Sequence, residues 1–165
     1  MNANLNLSRA AVATCSAASK PDVLGTLASC FAEAYGLDRI TVLEGLEERE
    51  RLGSTGFGRR VAIPHARIDG LERPVVALIK LEAPVEFNAA DGMPVDLVIG
   101  LLSPPNAGAD HLHTLAAISR MIRNEAIYDA LLRAEDADAL FATLTNLADS
   151  VIANDNPGGV TRESA

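Results

Sequence analysis

Between residues 19 and 36 the apolar side chains Val23, Leu24, Leu27, Phe31 and Ala34 recur at helical spacing, after a candidate N-cap at Ser19 and before a stop at Gly36. A second helix is predicted from Asp38 to just before Gly53, with Ile40, Leu43 and Leu46 on its apolar face and a heavily charged last turn at residues 47–51. The period then changes. Residues 60–64, 75–81 and 95–102 are short, branched-rich or continuous apolar runs, the pattern of strands covered on both faces, and 85–87 adds a brief extension. Turns are marked by Asp69-Gly70, by Asp91-Gly92 and by the loop over 103–109, which holds Pro104 and Pro105. Helical spacing resumes after Asp110, again over 125–134, and a third time over 136–147. Residues 10–15 fit either an edge strand or an irregular lead-in.

Helices, then strands, then helices imply a central sheet with helices packed against it, an α/β class of fold. At 165 residues the chain suits one domain, with no internal repeat and no long linker. The domain is expected over 8–148. The segment 149–165, with Asn156-Pro157-Gly158-Gly159 and no periodicity, reads as a flexible tail.

Composition narrows the functional classes. Fourteen Lys and Arg against 22 Asp and Glu give a formal charge of -8, which disfavours general attraction to nucleic acid or an anionic membrane but leaves room for a local cationic pocket. Tryptophan is absent and aromatics are only 4%, so the core must be aliphatic and no stacking platform for bases or sugars is evident. No run reaches the roughly 20 apolar residues of a membrane span, and the polar N-terminus does not read as a leader, so a soluble cytoplasmic protein is expected. Cys15 and Cys30 are too few and unpatterned for a disulfide framework or zinc site. They read as small apolar residues in or near the core.

Candidate chemistry gathers in residues 53–67, where a glycine-bearing segment and a short apolar run deliver His65 with Arg59, Arg60 and Arg67 nearby. Neutral imidazole is a nucleophile near neutral pH, and neighbouring cations suit a phosphate. On residue types alone, a histidine beside arginines fits a satisfied structural role as well as a nucleophilic one. Pro64 suggests that a strand ends as His65 is presented. Ser54, Thr55, Arg49 and backbone N–H groups of the glycine segment are suitable phosphoryl-oxygen donors if they fold over His65. With Asp110 as cap, His111 shares the buried stripe of Leu115, Ile118 and Ile122, whereas His113 falls on the exposed face. Positions i and i+2 of a helix diverge, which argues against a metal held by His111 and His113. Gly53, Gly56 and Gly58 lack the Gly-Lys-Ser/Thr ending of a nucleotide loop, and no nucleophile-elbow pattern supports a hydrolase.

The Ala62-Ile63-Pro64-His65 core, with its glycine lead-in, resembles the phosphorylation-site motif of the IIA proteins of the phosphoenolpyruvate-dependent phosphotransferase system. The mannitol/fructose-type branch is the nearest match, particularly its nitrogen-regulatory form. Arg49-Glu50, Leu52-Gly53-Ser54-Thr55-Gly56 and Asp110-His111-Leu112 also resemble that pattern, and the likeness covers about residues 8–148. The resemblance implies a central mixed sheet flanked by helices. It implies His65 as phosphoryl acceptor, His111 as the residue that positions the phosphohistidine, Arg49 as a charge-offsetting partner, and Ser54, Thr55 and Arg67 as phosphate-binding residues, with no cofactor and no metal. It further implies a regulatory phosphocarrier that takes phosphate from an HPr-like donor (NPr) and acts on proteins such as transporters or sensor kinases. Oligomeric state stays open. The alternative is a metabolic component that passes phosphate to the IIB domain of a sugar transporter, and a third reading is a binding module that keeps the fold without accepting phosphate. Arg59, Arg60 and Ala66 depart from the family pattern. The two arginines would either raise affinity for a phosphorylated donor or sit on a solvated strand edge.

Overall fold

The computed structural model describes residues 5–154, with the side chains of residues 5–146. Eleven elements follow in order: β1 (Leu7–Cys15), α1 (Lys20–Tyr35), α2 (Arg39–Arg51), β2 (Gly56–Gly58), β3 (Val61–Ala62), β4 (His65–Arg67), β5 (Val75–Val85), β6 (Val95–Ser103), α3 (Ala109–Arg123), α4 (Glu125–Arg133) and α5 (Ala137–Asn154). The sheet is six-stranded and mixed, in the order β1-β5-β6-β3-β2. β3 and β4 both pair in parallel with β6, at Leu97 and Val98 and at residues Leu101 to Ser103 respectively. They therefore lie end to end along one edge of β6.

Strand alternation builds two cores. Val75, Ala77, Ile79, Val98 and Leu102 face α1 and α2, while Val76, Leu78, Leu97, Ile99 and Leu101 face α3, α4 and α5. Burial on both faces is why β5 and β6 read as unbroken apolar runs. α1 begins as its sequence predicts: the Ser19 hydroxyl accepts the Asp22 N–H at 3.4 Å, and Gly36 closes the helix at φ 66°. Gly100 lets α1 approach β6, since a Cβ there would lie 2.8 Å from Phe31 Cε2 and 2.9 Å from Leu27 Cδ1.

Several expectations need correction. Of the two readings of 10–15 the edge strand holds, since the stretch belongs to β1, parallel to β5, though β1 starts earlier, at Leu7. Asp38 does cap α2, but the buried positions are Val42 and Leu46, and Ile40 is 62% exposed. The stripe starts two residues on from Ile40, at Val42, and keeps Leu46 and the partly buried Leu43. Residues 60–64 do not form one strand: β3 has two residues and the path breaks before Pro64. β2 is unanticipated. Phe87 is buried beyond the end of β5. α3 starts two residues early, at Ala109, so Asp110 lies in its first turn and no side chain caps it. α5 continues through the position where the tail is expected to begin, and residues 155–165 lie outside the described residues.

Candidate functional site

The break at Pro64 is local. Pro64 lacks an N–H, but its carbonyl accepts Leu101 N–H at 3.0 Å, so β6 carries the register across and His65 resumes pairing opposite Leu101. His65 thus begins a strand where a strand end was expected. Its Nδ1 lies 2.8 Å from the Ile63 carbonyl. A carbonyl only accepts, so Nδ1 carries the proton and Nε2 keeps its lone pair. Arg49, in the last turn of α2, donates from Nε to that Nε2 at 3.2 Å and from Nη1 to the Gly53 carbonyl at 2.8 Å. Burial pushes the His65 pKa below the ordinary 6.5; the Arg49 charge acts in the same direction, against the Ile63 hydrogen bond and Glu50. The half-buried ring is held neutral at pH 7, with one nitrogen pinned and the other available.

His111, 6% exposed in the first turn of α3, brings a second ring to 5.7 Å from His65 between centroids, tilted by 51°. It lies on the buried stripe with Ile118 and Ile122, Leu115 is half-buried, and His113 is exposed. Nδ1 of His111 meets the buried Ser103 hydroxyl at 2.6 Å. Burial lowers the His111 pKa too, assisted by Arg67 and His65. Arg67 occupies the next same-facing position of β4 and donates to the Pro105 carbonyl at 3.1 Å. The structure therefore gathers His65, His111, Arg49 and Arg67 at the C-terminal end of β6.

Ser54 and Thr55 are adjacent to this group but their hydroxyls are committed elsewhere. Ser54 donates to the Phe87 carbonyl, and Thr55 donates to Glu50 Oε2 at 2.6 Å. Glu50 Oε1 also accepts the Thr55 N–H at 2.8 Å and pairs with Lys20 Nζ at 2.7 Å. With its side chain 6% exposed, this carboxylate ties the glycine-bearing loop to α1 and to the end of α2 that carries Arg49. Sequence reasoning placed Glu50 in a charged last turn, weighed Ser103 only as a hydrolase nucleophile, and missed Lys20. The available signal was weak: an acidic residue just before a Ser-Thr-Gly loop.

Arg59 and Arg60 lie at the other end of β6. They are the central residues of the β2–β3 turn, at φ 57° and 70°, both left-handed, the geometry of a two-residue hairpin that favours Asn-Gly. Asp91 Oδ2 accepts the Arg59 N–H at 2.8 Å. Arg59 Nη1 donates to the Arg123 carbonyl at 3.0 Å, and Arg60 Nε pairs with Asp96 at 2.9 Å while Tyr128 donates to the other Asp96 oxygen at 3.0 Å. Four residues of β6, about 13 Å at strand rise, separate the register of β3 at Leu97 from that of His65 at Leu101. Neither arginine reaches the histidines from there. Among the described residues no three His, Cys, Asp or Glu side chains converge as metal ligands, and no helix is long and apolar enough to cross a membrane.

The family model for the phosphoenolpyruvate-dependent sugar phosphotransferase system, EIIA 2, matches residues 7–147. A nitrogen regulatory protein of Bradyrhizobium diazoefficiens is 43% identical over 126 residues, covering 76% of this chain and 82% of that protein. One from Pseudomonas aeruginosa is 42% identical over 130 residues, covering 78% and 84%. The crystal structure of the nitrogen regulatory protein IIA-Ntr from Neisseria meningitidis superposes with a TM-score of 0.77 at 34% identity, over 84% of this chain and 96% of that one. With the family model spanning nearly all of the described fold and two histidines meeting at the end of β6, the chain belongs to the EIIA type 2 family of the phosphotransferase system.

Proposed function

We propose that this protein is a regulatory phosphocarrier of the nitrogen-related phosphotransferase system, working in the cytoplasm, and that His65 Nε2 accepts the phosphoryl group. One observation carries the reading: Nδ1 of His65 is anchored on the Ile63 carbonyl, which leaves Nε2 unprotonated beside Arg49 and the His111 ring. In the transfer, the Nε2 lone pair forms a bond to phosphorus as the bond from phosphorus to the donor's histidine nitrogen breaks, and that nitrogen recovers its lone pair. No proton needs to leave His65. The reaction demands alignment and charge stabilisation more than base catalysis. Arg49 Nε turns from the lone pair to a phosphoryl oxygen, His111 and Arg67 supply a further donor and positive field, and Ser54 and Thr55 act by holding the loop in place.

The donor is an HPr-like phosphocarrier, and the partners are proteins whose binding responds to the state of His65, such as transporters or sensor kinases. The nitrogen regulatory relatives favour regulation over sugar uptake. Mixing the protein with phosphoenolpyruvate and a purified donor relay should give an acid-labile, base-stable label, and His65→Ala should abolish it. Full labelling of His65→Ala defeats the assignment, and rapid drain of label to sugar on adding IIB domains replaces regulation with uptake.

A further inference from the structure

Ser103 closes β6 and is completely buried. Its backbone is fixed by pairing with Arg67 and by the 2.8 Å hydrogen bond from Ile68 N–H to its carbonyl. Among the described residues His111 Nδ1, 2.6 Å away, is the one hydrogen-bond partner of its hydroxyl, and Nε2 of His111 makes no hydrogen bond. A neutral imidazole has one N–H and a serine hydroxyl has one O–H, so this contact can be made in two ways. If Nδ1–H donates, the serine hydrogen is left in the interior without an acceptor and Nε2 presents a bare lone pair. If the hydroxyl donates, both groups are satisfied and Nε2 carries the hydrogen. A buried donor left unpaired is enough to bias such a choice by roughly tenfold or more.

We propose that Ser103 is a positioning residue that sets the proton of His111: its hydroxyl donates to Nδ1, so that Nε2–H is presented to the phosphoryl oxygens at His65. This rests on the reading of His65 as acceptor. A lone pair at that position would repel those oxygens, whereas N–H binds them. The hydroxyl also serves a second state. Once a phosphoryl group sits on His65, its negative charge favours a second proton on His111, taken from water, against burial and the opposing charge of Arg67. The hydroxyl then rotates to accept from Nδ1–H with no movement of heavy atoms. A carboxylate in its place would favour the imidazolium permanently and an N–H donor would forbid it, so a hydroxyl is the group that suits both.

The direct test is long-range proton–nitrogen NMR of the full chain labelled with nitrogen-15, at a pH where His111 is neutral and with no donor present. The expected spectrum has the proton on Nε2 and the unprotonated shift on Nδ1; a wild-type protein with the proton on Nδ1 overturns the proposal. Ser103→Ala should lower the maximal rate of His65 labelling roughly tenfold with little change in apparent donor affinity, and Ser103→Thr should recover most of it. Labelling by Ser103→Ala at the wild-type rate also overturns it. The tautomer measurement needs no transfer. Failure of the His65 assignment, seen as label retained in His65→Ala, is therefore distinguishable from failure of the Ser103 role.

Discussion

Both ends of β6 collect arginines, and the two collections are opposite in kind. At the N-terminal end Arg60 faces Asp96, a residue with its side chain 11% exposed, and Tyr128 satisfies the second carboxylate oxygen. Arg59 is used up on a helix-end carbonyl. At the C-terminal end Arg49 and Arg67 face two neutral imidazoles and backbone carbonyls, and among the described residues no carboxylate hydrogen-bonds either ring. Glu50, whose charge does act on His65, is turned away onto Thr55 and Lys20. Positive charge is neutralised at one end to hold a strained turn, and left uncompensated at the other, where an anion would complete it. Counting arginines near a histidine in sequence cannot separate these cases; the counter-charges decide.

The contrast predicts separable losses. Arg49→Ala should slow labelling of His65 by roughly a hundredfold, the usual cost of one oriented donor to a charged transition state, with little change in melting temperature. A loss of less than threefold would mean that Arg49 is only a latch on Gly53. Asp96→Ala should do the reverse. It strands Arg60 and the Tyr128 hydroxyl around a strained turn and should lower stability by about 2 kcal/mol in denaturant titration, while the folded protein labels at the normal rate. A labelling defect in that folded variant would join the two ends and break the comparison. The smallest effect concerns pH. NMR titration should place the midpoints of His65 and His111 below 6.5, since burial first and nearby cations second disfavour their charged forms. The unfolded chain then binds more protons than the fold in that range. The contribution to stability is full above pH 6.5 and is lost as pH falls through the lower folded values. A midpoint above 6.5 for His65 would contradict a neutral nucleophile.

Legibility in the sequence followed the range of the interactions. α1 was readable because Ser19, its apolar spacing and Gly36 are local signals. β5 and β6 were readable because double burial leaves a continuous apolar run. β2 and β4 were not: three residues such as Gly-Phe-Gly or His-Ala-Arg carry no period, and their pairing with β3 and β6 is set by distant partners. The misplaced Ile40 of α2 has the same origin, because Ile40 is as apolar as Val42 and only tertiary packing decides which is covered. In the site, the family motif drew attention to His65, Arg49 and His111. Glu50, Lys20 and Ser103 stayed hidden because a charged helix end and a serine before a Pro-Pro loop look like solvent-facing residues until tertiary packing buries them.

The last residues of β6 act as a ruler. His65 is registered on Leu101 and His111 on the hydroxyl of Ser103, two positions along one strand that is buried from end to end. The separation of the rings is therefore fixed by the pitch of a β-strand and not by any loop that a visiting protein could push. A phosphoryl group arriving there would find its berth already at full size and would leave the backbone nearly where it was. The message it writes on the surface is then one of charge, negative phosphoryl oxygens only partly offset by the proton kept on Nδ1, and a reader of that message needs an electrostatic sense more than a sense of shape.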